Sequence, residues 1–251
     1  MPINYLRGFT TPVRTDSANR RLGRGLAFVA GAANAGGFLA VGQYTSHMSG
    51  IVSSLADNLV LFNLDIVFPA MGAIAAFVCG AATSAMLINW GRQRAMHSVF
   101  AMPLILEAIL LLFFGLVGTQ LEQHRVFFVP LAAALLCFVM GLQNAMITKI
   151  SRAEIRTTHV TGLVTDIGIE LGKAAFWNAG MSPDDHRYVR ADAQRLILLA
   201  SLLGMFFIGG VVGAIGFKQF GFVSTIPLAA VLTAFAAVPL VDDLVAHWRR
   251  E

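Results

Sequence analysis

The sequence predicts an all-α membrane protein: a polytopic bundle of six transmembrane helices plus two short re-entrant helices, arranged as an inverted 3+3 repeat. Three observations carry this expectation. Hydrophobic residues make up 57% of the chain and charged residues 13%, against about 25% charged in an ordinary soluble domain. Six apolar runs are each about 20 residues long, enough to cross a hydrocarbon core of roughly 30 Å. A motif also occurs twice. Gly31-Ala32-Ala33-Asn34-Ala35 is followed by Thr45-Ser46-His47-Met48-Ser49-Gly50, and Gly141-Leu142-Gln143-Asn144-Ala145 by Thr157-Thr158-His159-Val160-Thr161-Gly162. Each copy closes a long apolar run and opens a short, more polar one, the mark of two related halves with a site between them.

Along the chain, residues 1–24 read as a basic cytoplasmic tail with Arg14, Arg20, Arg21 and Arg24 and no apolar core of a signal peptide. A transit peptide is the weaker reading of the same arginines. The first membrane repeat, 25–119, holds runs at 22–43, 66–89 and 99–119. The second, 126–241, holds runs at 126–147, 196–217 and 222–241. Residues 242–251 form a second cytoplasmic tail, so the whole is one membrane domain. The runs 47–62 and 159–174 are short and polar, which suits re-entrant or interfacial segments better than spans. Residues 176–192, with Pro183-Asp184-Asp185, read as a mobile surface insertion.

Loop charge sets the orientation. If only the six long runs cross, the amino end, the Arg92/Arg94 loop, the Lys149/Arg152/Arg156 loop, the 173–195 stretch and the Arg249/Arg250 tail share one face. The opposite face keeps the loops with Arg125 and Lys218. Positive residues gather on the cytoplasmic side, so both termini are expected there. Three spans per half is an odd number, and the halves must then be oppositely oriented. The pairing continues in Cys79-Gly80-Ala81-Ala82 against Gly209-Gly210-Val211-Val212-Gly213, and in Pro103 against Pro227. Small residues at such places let helices approach closely.

The candidate site residues follow from this arrangement. His159, Gly162, Asp166, Glu170 and Lys173 share one helical face, aligned with His47, Gly50, Ser54 and Asn58, with Asp57 beside them. His47, His159, Asp57 and Asp166 are expected to line a path or pocket, whereas Glu170 and Lys173 also read as a solvated pair of little energetic value. Glu107, an acid in the middle of a span, serves either function or a bond to a neighbouring helix. Asn34 and Asn144 can each donate and accept, which suits bracing a chain that turns back at depth; ligand contact is the alternative. Thr45, Ser49, Thr157, Thr158 and Thr161 are expected to cap the short helices.

Cys79 and Cys137 lie within spans and read as packing residues. No ligand spacing for a metal, no phosphate loop and no catalytic triad is present in the sequence, so no metal, no cofactor and no enzymatic activity are expected. The net charge of +4 lies in loops and tails and gives no nucleic-acid signature. The expected surroundings are the lipid bilayer and a small solute or ion; the sequence is also compatible with an oligomer.

The doubled motif resembles the YoaK family of bacterial membrane proteins, grouped under a domain of unknown function. The stretches that carry the likeness are Gly31-Ala32-Ala33-Asn34-Ala35, Met48-Ser49-Gly50-Ile51, Gly141-Leu142-Gln143-Asn144-Ala145 and Thr157-Thr158-His159-Val160-Thr161-Gly162. Asn34 stands where that family often has Asp, and Ile51 where it often has Asn. The resemblance implies six spans in a bacterial inner (plasma) membrane and supplies no substrate. The leading expectation is a small-solute transporter or channel with a midplane site between the re-entrant segments. The alternative is a non-transporting membrane scaffold or regulatory protein. An intramembrane enzyme using His and carboxylate as acid and base ranks last, for want of a nucleophile.

Overall fold

The computed structural model describes residues 16–96, 98–119, 125–151, 155, 157–182 and 184–248. Most of the amino-terminal tail, His97, His124, Arg152, Arg156, Pro183, Arg249 and Arg250 lie outside them. The described residues are helical, without strands: α1 Asp16–Val41, α2 Met48–Val60, α3 Leu64–Gln93, α4 Ala101–Gly118, α5 Arg125–Ile150, α6 Val160–Ala175, α7 Ala193–Phe220 and α8 Thr225–Trp248, with a 3-10 turn Gly221–Ser224 between the last two. Every expected run is a helix. The first starts six residues early, because Asp16 in its first turn suits the positive end of the helix dipole.

Five stretches are long and apolar enough to cross a membrane. The last of them, Ala193–Ala237, covers 45 residues and contains both α7 and most of α8. It is not one rod, because the chain turns at Gly221 (φ 58°, ψ −143°), a conformation in the left-handed half that glycine alone adopts cheaply. Large apolar side chains such as Phe68, Met86 and Phe207 face outward, each more than 60% exposed. An apolar exterior of this extent marks a membrane-embedded surface; the chain is a helical membrane protein.

Helix contacts come in matched sets. Arg24 meets Ser201, Gly31 meets Phe206, and Gly36 meets Phe217, so α1 and α7 run parallel. Phe77 meets Gly141 and Asn89 meets Lys149, so α3 and α5 run parallel too. At the two crossings the same device recurs. A Cβ on Gly31 would strike the Phe206 carbonyl and one on Gly209 the Phe28 carbonyl; Gly141 stands likewise against Phe77, and Gly80 against Phe138. Four Phe-x-x-Gly stretches therefore lock two helix pairs backbone to backbone, the packing used where lipid leaves little hydrophobic drive between helices.

The other pairs are antiparallel. Gln143 of α5 reaches the Leu26 carbonyl while Leu136 touches Gly37, so α1 and α5 run in opposite directions. The end of α4 meets the start of α8, with Gly115 on Thr225 and Gly118 on Phe222. Pro103 and Pro227 each occupy the third position of their helix, in the first turn, where no backbone donor is lost. The largest buried cluster joins Leu26, Leu104, Leu136, Met140, Leu202 and Leu232, drawing on all six long helices together with Ile88 of α3.

Candidate functional site

Two turns, one at each end of the bundle, hold most of the predicted site residues. After Val41 the chain folds back along α1. Asn34 Oδ1 accepts from the Ser46 backbone N–H at 3.3 Å and from its hydroxyl at 3.0 Å. Asn34 lies seven residues inside the end of α1, about 10 Å at 1.5 Å per residue. From there α2 leads back outward. Its Ile51 packs with Ala70, Ala73 and Cys137, and a tight turn at Phe62 (φ 56°) delivers the chain to α3. The segment enters and leaves at one end of the bundle.

The second turn repeats the first. Thr158 Oγ1 donates to Asn144 Oδ1 at 2.8 Å, and Asn144 Nδ2 donates to the Met140 carbonyl at 2.8 Å. Asn144 lies six residues inside the end of α5. Helix α6 then leads outward, antiparallel to α7, with Asp166 against Arg195 and Glu170 against Asp192. The bracing role expected of both asparagines is what these bonds perform.

His47 and His159 are the N-cap residues of α2 and α6, and neither makes a side-chain cap bond. Both rings fold over the first turn of their helix. A Cβ on Gly50 would run into the His47 ring, and one on Gly162 would stand 3.3 Å from His159 Nδ1. Both histidines are exposed on the protein surface. The capping expected of the hydroxyl residues is not what the structure has. Thr45 and Thr157 are fully buried with no hydrogen-bond partner among the described residues, and Ser46 and Thr158 are drawn to the asparagines. The turn's geometry points the hydroxyls at α1 and α5 and leaves the cap position to histidine.

Glu107 sits apart from both turns. It is fully buried in α4, and its Oε1 accepts from Gln143 Nε2 at 3.0 Å. The same amide donates to the Leu26 carbonyl at 3.3 Å, so one side chain ties α5 to α4 and α1. Glu107 Oε2 and Gln143 Oε1 are buried without a partner among the described residues. Apolar Val231 and Ala33 stand at the places aligned with Glu107 and Gln143, so this polar knot occurs once.

The acids of α6 serve its docking. Lys173 Nζ donates to Glu170 Oε1 at 2.9 Å, and the Asp192 backbone N–H donates to Glu170 Oε2 at 2.8 Å. The Lys173 bond and then the Asp192 bond hold the Glu170 carboxyl below its ordinary value. Glu170 is 1% exposed, so it is more than the solvated partner of Lys173. Asp166 pairs with Arg195 at 3.2 Å. Asp57 is exposed near the end of α2, away from His47. In the 176–192 loop, Asn178 and Val189 exchange two hydrogen bonds at 3.0 Å, and Asp185 pairs with Arg187 at 2.9 Å, which holds its carboxyl below the usual range.

The predicted residues are thus gathered as Asn34 with His47 and as Asn144 with His159. Gln143 stands level with Leu26, eight residues from Asn34, so the two groups lie about 12 Å apart along α1. No hydrogen bond among the described residues joins them. Sequence reasoning missed Gln143, Ser46 and Arg195, and the Phe-x-x-Gly spacing was the available signal for the crossings. Among the described residues no group of three or more His, Cys, Asp or Glu could hold a metal ion.

No curated protein and no solved structure matches the chain. The profile of a family described as a protein of unknown function, DUF1275, matches residues 22–238, from α1 into α8. The same stretch contains both turns, both Phe-x-x-Gly crossings and Glu107. The chain belongs to the DUF1275 family.

Proposed function

We propose that the protein is a transporter or channel for a small solute or ion in a bacterial inner membrane, as its likeness to the YoaK family also suggests, and that it is not an enzyme. In this reading α1, α3, α4, α5, α7 and α8 cross the membrane as an inverted pair of three-span halves, with both termini cytoplasmic. The observation that carries it is the pair of inward turns, Asn34 with Ser46 and Asn144 with Thr158. Non-helical backbone at membrane depth is stable only where protein or an aqueous cavity surrounds it, and broken helices of this kind commonly end at a solute site. The solute then meets two stations, at His47 and His159, one on each side of the midplane.

The test is flux of small solutes and protons in proteoliposomes, for the wild type and for His47→Ala/His159→Ala. Both rings are exposed and uncapping, so the variant should fold; its flux should fall. Equal flux across a broad panel would remove the proposal. One observation favours a scaffold instead: the carboxamide oxygens of both asparagines already accept from the chain's own turns. A scaffold would show no flux above empty vesicles in either protein, while Asn34→Ala/Asn144→Ala would still lower its thermal stability.

A further inference from the structure

A cavity of about 390 Å³ lies between α1, α7, the 3-10 turn and α8, and its lining contains none of the predicted site residues. Its volume falls in the range of roughly 300–1,000 Å³ typical of ligand pockets. The floor is made by Ala32, Gly213 and Leu228, all buried. The mouth is made by Val212, Phe220 and Val223, which are 50%, 67% and 62% exposed. It therefore opens on the apolar outer wall. At its floor Gly213 packs backbone to backbone on Ala32, so the space lies beside that contact, toward α8 and the turn.

The cavity is polar at one end only. Ser224, in the turn at the end of the bundle, lines it, and its Oγ is buried without a hydrogen-bond partner. A buried hydroxyl without a partner is uncommon and calls for one. From Phe220 at the turn to Gly213 at the floor the cavity runs seven residues along α7, about 10 Å. A hydrogen-bonding end at the membrane surface and an apolar end toward the middle is the order of groups in a lipid. We infer that this cavity is a lipid site: it takes the upper part of one phospholipid acyl chain, with the ester oxygen of that chain accepting from the Ser224 hydroxyl. The flanking surface, with Ile208, Ile215 and Ile226 exposed, is continuous with the bilayer that supplies the lipid.

The experiment is photolabelling in nanodiscs with a phosphatidylcholine carrying a diazirine in its acyl chain, read by peptide mass spectrometry. Label should concentrate on the α7 and α8 peptides that line the cavity. Val212→Trp places a ring across the mouth and displaces several methylenes, so labelling there should fall at least about tenfold. Met86→Trp, equally lipid-exposed on α3, should leave it unchanged. Ser224→Ala, which disturbs no packing, should weaken retention of a native lipid about fivefold, the worth of one hydrogen bond. Thermal unfolding checks that each variant is folded. Label spread evenly over the lipid-facing helices, or unaffected by Val212→Trp, overturns the inference. So does a non-lipid apolar molecule found bound in that place in the purified protein.

Discussion

At the residue scale, Asn34 and Asn144 each close an inward turn with bonds to the turn's own residues. Truncating either to alanine removes partners from part-buried groups, and each should cost about 1–3 kcal/mol, measured by thermal or denaturant unfolding in detergent. The two losses should add in the double variant, because the sites lie about 12 Å apart and share no partner. Gln143→Leu leaves Glu107 without its donor at the meeting of three helices. Gln143→Glu also removes the N–H donor and sets a second buried acid beside Glu107, so it too should destabilise, as read by the same unfolding experiment. Glu170 gives a pH dependence whose sign is fixed. Its folded pKa lies below the ordinary 4.5, so its contribution is complete above that value and is lost as pH falls through the folded one. Unfolding followed from pH 7 into the acid range should show this loss in the wild type, and Glu170→Gln should lack that part of the slope.

At the element scale, the two crossings depend on backbone contact. Gly141→Ala and Gly209→Ala each push a methyl group into a phenylalanine carbonyl on the partner helix. Each should destabilise by about 1–3 kcal/mol, the usual cost of overpacking. Gly72 and Gly168 are also helical glycines, but a Cβ there meets nothing within 4 Å. Substituting alanine at those two should be neutral or stabilise by up to about 1 kcal/mol through helix propensity. A flat response across all four positions would contradict the packing described. The two asparagine turns and the two crossings also explain why the short helices do not continue as spans. Each turn sets its short helix back toward the face the chain came from, where the next long helix begins at Leu64 or Ala193.

At the scale of the whole molecule, the expected orientation can be read from single cysteines in a cysteine-free background. Ser98 and Ser151 are buried and would report packing instead of sidedness. Ala95 and Ala179 are exposed at one end of the bundle, and Gln43 and Gln219 at the other. Impermeant maleimide applied to inside-out vesicles should label the first pair, and applied to intact cells the second. Mixed labelling within a pair would exclude the inverted arrangement. The helices were largely legible beforehand, because the length of an apolar run is a local property. The candidate site was legible only by address. Asn34, His47, Asn144 and His159 could be named, but their division into two stations depends on how far each turn enters and on the direction of α1 against α5.

Residue by residue, the sequence by itself determined the helical class and the approximate extent of each helix. These follow from runs of apolar side chains, which need no partner to be read. Tertiary structure alone decided that Gln143 ties Glu107 to α1, that Glu170 is spent on docking α6, and that a cavity lies between α1, α7 and α8. Each of these is a relation between residues far apart in the chain, and side-chain volume and hydrogen-bond reach act only once the helices have crossed.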